Sequence, residues 1–183
     1  MTIQEAQDIL REYTKSPNLI KHAQAVSAVM RFYAEKFRED QEWWSITGLL
    51  HDFDYEVHPT LEEHPQKGSA ILRERGVHEE IVRAILSHAP HTGEPRDTLM
   101  KKTLFAADEL SGFIVAVALV QPDKKLASVQ VESVLKKLKV PSFAAKVNRE
   151  EIRQGAQELG VALHEHVRNI LTALQGVHGE LGL

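Results

Sequence analysis

The sequence predicts an all-α protein. Apolar residues recur at helical spacing along most of the 183 residues. Three capping boxes stand where such apolar patterns begin. No stretch alternates apolar and polar residues as a half-buried strand does, and no internal repeat, glycine-rich phosphate loop or Gly-x-Ser-x-Gly motif is present. We therefore expect a bundle of helices.

Composition and charge exclude several kinds of function. The chain is 43% hydrophobic and 26% charged, which is typical of a globular protein, and its length suits one domain. With 22 basic and 26 acidic residues, the net charge of −4 offers no general attraction to nucleic acid or to an anionic membrane. The absence of cysteine excludes disulfides, thiolate metal sites and cysteine nucleophiles.

Neither a signal peptide nor a membrane span is expected. The first residues lack the basic and apolar segments of a signal peptide. The longest apolar run, 113–120, is too short to cross a bilayer. These features predict a cytoplasmic protein.

Capping signals mark the first three helices. They are Thr2 with Glu5, Ser16 before Pro17, and Asp40. His22 lies near the start of the second helix, where a single histidine is usually a hydrogen-bonded core residue. The third helix ends in His51-Asp52, at the buried end of an apolar run.

The fourth helix is predicted from a second capping box. Thr60 and Glu63 form that box, and Gly76 ends the helix. His64 is expected in its first turn, with Lys67 on the same side. Solvent exposure is the simpler interpretation of both side chains.

The fifth and sixth helices supply further candidates. The fifth spans 79–87, and His88 follows at its end, where a histidine can simply cap carbonyls. The sixth is predicted to begin at Arg96-Asp97 and to lead to Asp108-Glu109. We reason that two adjacent acids cannot both face one core, and the two alanines before Asp108 make it the more buried acid.

The last part of the chain continues the helical pattern. Its predicted helix boundaries are marked by Ser128 as a cap, Pro141 as a stop, the Asn148–Glu151 capping box, and Gly160 and Gly176. We predict a single domain over 1–183, with a site-bearing core at about 17–120 and a helical extension at about 123–183.

A buried carboxylate is costly unless it is paired or bound to a metal. His51 and Asp52 together offer one nitrogen and one oxygen ligand, which suits a divalent transition metal. In the alternative interpretation, His51 caps the helix and Asp52 begins a loop. The candidate ligands lie at or near helix ends, which can converge in a bundle; they are His22, His51, Asp52, His64, His88 and Asp108.

This ordered set resembles the HD-domain superfamily of metal-dependent phosphohydrolases. The resemblance runs from about His22 to Val120, and the segments 49–52 and 105–109 are its most specific motifs. The extra histidines His64 and His88 resemble those of members that hold two metals. The last third, through 147–151, is similar to small bacterial HD proteins described only as predicted hydrolases. The resemblance implies the HD-domain helical bundle.

The resemblance also implies a metal centre with one or two divalent ions. Asp52 would bridge two cations, one also held by His22, His51 and Asp108, the other by His64 and His88. A metal-bound water would then attack phosphorus. Nitrogen and oxygen ligands fit Mn²⁺, Fe²⁺, Co²⁺ or Ni²⁺ better than a structural zinc site.

One departure from the family concerns the residues after the His-Asp pair. Many two-metal members continue with isoleucine, glycine and lysine, whereas this chain has Phe53-Asp54-Tyr55. Lys67 or Lys102 is a candidate to bind the substrate phosphate instead, although each is equally explained as a solvated surface lysine. Asp54 and Glu109 are candidates to orient water or protonate the leaving group, the alternative being acids behind the ligands or facing solvent.

The leading hypothesis is a phosphomonoesterase or phosphodiesterase that acts on a small phosphorylated metabolite, a nucleotide being one candidate. The alternatives are a di-iron oxygenase on the same scaffold and a non-catalytic metal-binding or regulatory module. No specific nucleic-acid or membrane partner is predicted, and a homodimer stays open. The other histidines are interpreted as ordinary; they are His58, His91, His164, His166 and His178.

Overall fold

The computed structural model describes all 183 residues and contains only helices, turns and loops. The all-α prediction is confirmed. The helices are α1 (Ile3–Tyr13), α2 (Pro17–Phe37), α3 (Gln41–Leu50), α4 (Gln66–Glu74), α5 (Glu79–His88), α6 (Leu99–Leu119), α7 (Val131–Leu138), α8 (Arg149–Leu159), α9 (Leu163–Gly176) and α10 (His178–Leu181). Two short 3-10 helices lie at Pro90–Thr92 and Leu126–Ser128. None of the helices combines the length and the apolar character that a bilayer span needs.

Three of the six predicted N-terminal caps form. The side chains of Thr2, Asp40 and Asn148 each accept a backbone hydrogen bond from the first turn of their helix. Ser16 precedes α2 as expected, but its side chain makes no capping bond. Instead the Glu56 carboxylate accepts from the backbone N–H groups of Lys15 and Ser16, both at 2.8 Å. This contact ties the loop after α3 to the start of α2.

The start of the fourth helix was predicted wrongly. Residues 51–65 form turns, and α4 begins only at Gln66. The reason is Pro65, which lacks an N–H group and disfavours the helical conformation in the residue before it. His64 therefore lies in the turn that precedes α4 and not within its first turn.

Two later helix starts also differ from the prediction. The Thr98 side chain caps α6, three residues after Arg96-Asp97 would have begun it. Ser128 caps no α-helix, because its hydroxyl bonds the Asp123 carboxylate within a short 3-10 turn. The helix α6 then runs without a break to Leu119, and Gly112 in its interior does not interrupt it.

Two apolar clusters form the core. The larger joins α2 and α6 to the C-terminal helices, and the smaller joins α1, α3, α4 and α5. Trp44 is buried in the larger cluster, and Trp43 is partly buried between the two. Trp44 is thus part of the core, and the homodimer stays a prediction. The site lies where α2, α3, α5 and α6 meet.

The C-terminal helices lie directly on α6. A Cβ atom added to Gly155 of α8 would lie 2.6 Å from the Cα of Ala106, so the two backbones approach closely. On α9, His166 donates from Nε2 to the Ala106 carbonyl at 2.9 Å and accepts from the Tyr33 hydroxyl at 2.6 Å. Gly155 and His166 thus both contact Ala106, which lies two residues before Asp108. The proposed division into core and extension stays a prediction.

Candidate metal centre

Six side chains from separate segments of the chain meet in one cluster. They are His22 on α2, His51 and Asp52 at the end of α3, His64 before α4, His88 at the end of α5, and Asp108 on α6. Their donor atoms form two groups of three, and the atoms of each group lie within 4.8 Å of one another. The structure thus brings together all the ligands that the sequence suggested.

The first group consists of His22, His51 and Asp108. His22 Nε2 lies 3.0 Å from Asp108 Oδ1 and 3.2 Å from His51 Nε2. His51 Nε2 lies 3.5 Å from the same carboxylate oxygen. Two ring nitrogens and one carboxylate oxygen therefore converge on one point.

The second group is organised by Asp52. Its Oδ1 atom lies 3.2 Å from His64 Nε2 and 3.3 Å from His88 Nε2. Its Oδ2 atom faces the first group, 3.5 Å from His51 Nε2 and 3.9 Å from His22 Nε2. The two oxygens of one carboxylate are thus divided between the two groups, as a carboxylate that bridges two cations requires.

Backbone carbonyls set the tautomers of two histidines. His51 Nδ1 lies 2.8 Å from the Gly48 carbonyl oxygen, and His88 Nδ1 lies 2.5 Å from that of Ile85. A carbonyl can only accept, so each Nδ1 carries a hydrogen. In the neutral ring, the lone pair is then on Nε2, which points into the cluster as a metal ligand must. The residues present fit a centre with nitrogen and oxygen ligands.

Asp54 lies behind His64. It is 1% exposed; Oδ1 accepts from His64 Nδ1 at 2.9 Å, and Oδ2 accepts from the Gly68 N–H at 3.0 Å. His91 also donates to the backbone carbonyl of His64, at 2.9 Å. Asp54 therefore lies behind a candidate ligand and does not line the open side of the centre. Its role in orienting water or protonating a leaving group stays a prediction.

A cavity of about 310 Å³ opens above the donor atoms. Asp108 and Glu109 both line it, and neither side chain is fully buried in the core. Successive helical residues are about 100° apart, and the cavity is wide enough to receive both side chains from one face of α6. The expectation that every ligand lies near a helix end fails for Asp108, which lies in the middle of α6.

Sequence reasoning did not single out two other residues that line this cavity. Tyr55 is 42% exposed, and its ring meets that of His64 edge-on with 5.3 Å between centroids. Gly112 lies one helical turn after Asp108, hence on the same face of α6. The sequence did contain a signal for Tyr55, because this residue occupies the position where many two-metal members have lysine.

The two candidate lysines lie outside the cavity lining. Lys67 is exposed and pairs with Glu63 at 2.5 Å. Lys102 lines a separate polar depression together with Glu158. Their role in substrate binding stays a prediction.

The electrostatics of the centre favour a cation. Burial opposes the charge on Asp108, but hydrogen bonds from His22 and His51, when these rings are protonated, outweigh it and lower the pKa of this carboxyl. For Asp52, burial is likewise outweighed, chiefly by the charge of His51, and the pKa lies well below its usual range. Burial raises the pKa of Glu109 to about 7, and the charge of Asp108 adds to this shift. Both ligand carboxyls are thus ionised at neutral pH.

Comparisons with known proteins agree with this geometry. The sequence profile of the HD domain matches residues 19–112, a range that contains all six clustered side chains. Two ribonuclease Y sequences, from two strains of Nitratidesulfovibrio vulgaris, are each 32% identical over 98 residues. That alignment covers 53% of this chain but only 18% of ribonuclease Y. No solved structure matches the chain.

Proposed function

This chain belongs to the HD-domain family of metal-dependent phosphohydrolases, and we propose that it hydrolyses a phosphoester of a small phosphorylated metabolite, a nucleotide being one candidate. The single observation that supports this most is the position of Asp52. Its two oxygens face two separate groups of histidine and carboxylate donors.

The ligands divide between two divalent ions in this proposal. His22, His51 and Asp108 would hold one ion, His64 and His88 would hold the other, and Asp52 would be shared. Mn²⁺, Fe²⁺, Co²⁺ or Ni²⁺ suits these donors better than a structural zinc, which favours thiolates that this chain lacks. Such a pair of ions, when bound, supplies a hydroxide near neutral pH and stabilises negative charge on phosphoryl oxygens.

Residues of the chain complete the site. Asp54 keeps the proton on His64 Nδ1, so that Nε2 stays free to bind. Glu109 lines the cavity and lies next to Asp108 in the chain, so it is placed to orient water or to protonate the leaving oxygen. Tyr55 is the candidate to meet a phosphate oxygen, in place of the lysine that this chain lacks, because its hydroxyl has no partner in the protein.

A small substrate fits the cavity better than RNA does. The similarity to ribonuclease Y, which its name associates with RNA, covers a minor part of that protein. The cavity lining here contains carboxylates and histidines but no lysine or arginine, and the chain is acidic overall. Tight binding of a nucleic-acid backbone depends on many such basic side chains. RNA is therefore a control substrate in the test.

The test combines metal content with hydrolysis. The protein is purified anaerobically and loaded separately with Mn²⁺, Fe²⁺, Co²⁺ and Ni²⁺. Bound ions are counted, and phosphate or alcohol release is measured with monoesters, diesters, nucleotides and an RNA oligomer. We expect about two ions per chain and turnover of a small ester. In Asp52→Ala, both ions and turnover should be lost while helical circular dichroism is kept. Asp8→Ala, which removes an exposed acid on α1, should behave as wild type.

Other outcomes identify the competing functions. Two irons with substrate-dependent oxygen uptake and no ester cleavage would replace the proposal with the di-iron oxygenase. Full metal loading without turnover of any ester would favour a regulatory module. Cleavage of the RNA oligomer alone would contradict the small-metabolite assignment.

A further inference from the structure

A second, apolar cavity adjoins the metal centre. Its volume is about 300 Å³, and it lies between α2, α6 and residues 181–183. Its walls are mainly aliphatic, from Val115, Leu119 and Leu181 among others. His22 and Gly112 line both this cavity and the one above the metal ligands. The two cavities are therefore neighbours that share these two residues as their border.

The border between the cavities is narrow. Gly112 has no side chain there, and a Cβ atom added to it would lie 3.8 Å from His22 Nδ1, in van der Waals contact. His22 presents its Nε2 atom to Asp108 on the metal side. His22 thus borders the metal centre on one side and the apolar cavity on the other.

The rim of the apolar cavity is polar. Asn18 and Lys21, from the first turns of α2, line it beside the aliphatic walls. Lys21 is exposed and has no carboxylate within 4.0 Å, whereas Lys36, further along the same helix, is paired with Glu165. The cavity therefore offers an apolar interior, with an amide and an uncompensated cation at its edge.

We infer that this cavity is a subsite for an aromatic ring in the organic part of the substrate, whose phosphate lies at the metal centre. The inference rests on the proposed function and narrows its substrate to organophosphates that carry an aromatic ring, such as aryl phosphates or nucleotides. A polyhydroxylated chain would place hydroxyl groups against aliphatic walls that offer no hydrogen bonds, which is unfavourable. The apolar face of a ring loses nothing there, and its polar edge can meet Asn18 and Lys21.

Binding to the metal-loaded protein tests this subsite without depending on turnover. Dissociation constants are measured by calorimetry for inorganic phosphate, ribose 5-phosphate and 1-naphthyl phosphate. We expect 1-naphthyl phosphate to bind at least about tenfold more tightly than ribose 5-phosphate, because only the former buries apolar surface. Val115→Phe, which fills the cavity, should remove this preference and leave the affinity for inorganic phosphate unchanged.

The matched control is Val120→Phe. Val120 is 56% exposed at the end of the same helix and does not line the cavity, so the same substitution should leave the preference intact. If Val115→Phe fails to fold, Leu119→Ser serves instead, because Leu119 is half exposed and trimming it needs no rearrangement. This variant should weaken 1-naphthyl phosphate alone.

The outcomes separate the two proposals. Equal affinity for the two organophosphates, or a preference that survives the cavity substitutions, would overturn the subsite, while normal phosphate binding would leave the proposed function standing. If inorganic phosphate does not bind to the fully metal-loaded protein, the proposed function fails and the subsite assignment fails with it.

Discussion

Replacing Asp54 with asparagine should reverse the hydrogen bond that sets the tautomer of His64. The native carboxylate accepts from His64 Nδ1 and from the Gly68 N–H, at 2.9 and 3.0 Å. Asparagine has one acceptor oxygen, and the backbone N–H can only donate, so that oxygen is held by Gly68. The amide nitrogen then faces His64 and donates to Nδ1. The ring proton moves to Nε2, and the lone pair that faces the metal site is lost.

The effect should be confined to one ion. Substitutions of residues that orient a metal ligand typically weaken metal binding by about 10- to 100-fold. This corresponds to roughly 1.4–2.7 kcal/mol for the ion held by His64 and His88. The ion at His22, His51 and Asp108 should keep its affinity, because Asp54 has no hydrogen bond to that group.

The assay is an anaerobic titration of the metal-free protein with Mn²⁺, with the bound ions counted by elemental analysis. The wild type should show two tight ions, and Asp54→Asn should show one tight ion and one weakened by the stated factor. Glu63→Gln is the matched control, because Glu63 is an acid in the same turn region that pairs only with residues outside the centre. Two ions bound to Asp54→Asn with wild-type affinity would refute the tautomer argument.

Three further predictions concern the support of the site. Gly68→Ala places a Cβ atom 2.4 Å from Asp54 Cγ, so it should weaken the same ion as Asp54→Asn, which the same titration would show. Gly155→Ala places a Cβ atom 2.6 Å from the α6 backbone and should destabilise the fold by about 1–3 kcal/mol in urea unfolding; Gly176→Ala, with nothing within 4 Å, should not. Burial lowers the pKa of His166, so its contribution to stability is complete above the unfolded value of about 6.5 and is lost as the pH falls through the folded value. Urea midpoints at pH 5.5 and 7.5 should therefore differ more in the wild type than in His166→Gln, and equal differences would contradict this assignment.

Local chemistry explains which elements were predictable. The caps at Thr2, Asp40 and Asn148 depend on hydrogen bonds that reach two or three residues along the chain, and each formed as expected. The capping box at Thr60 did not start a helix, because Pro65 acts on the conformation of the preceding residue and delays α4. A local signal fails where a stronger local constraint overrides it.

The roles of the acids depended on long-range packing. Asp54 and Glu109 had the same two interpretations in the sequence. The structure places them differently: the Gly68 N–H of α4 donates to Asp54, whereas Glu109 lines the cavity above α6. The neighbour of Asp54 could not be deduced from spacing, since the turns at 51–65 have no periodicity that fixes a direction.

The sequence by itself determined the helical class, the HD-domain family and the set of residues that converge. The helical spacing of apolar residues and the His-Asp motifs can each be recognised within a short segment of the chain. Only the tertiary structure decided how these residues are used. The division of the Asp52 oxygens and the apolar cavity beside His22 each depend on segments far apart in the chain. Such distances are set by the packing of helices around α6, which results from the whole core and from no single stretch of residues.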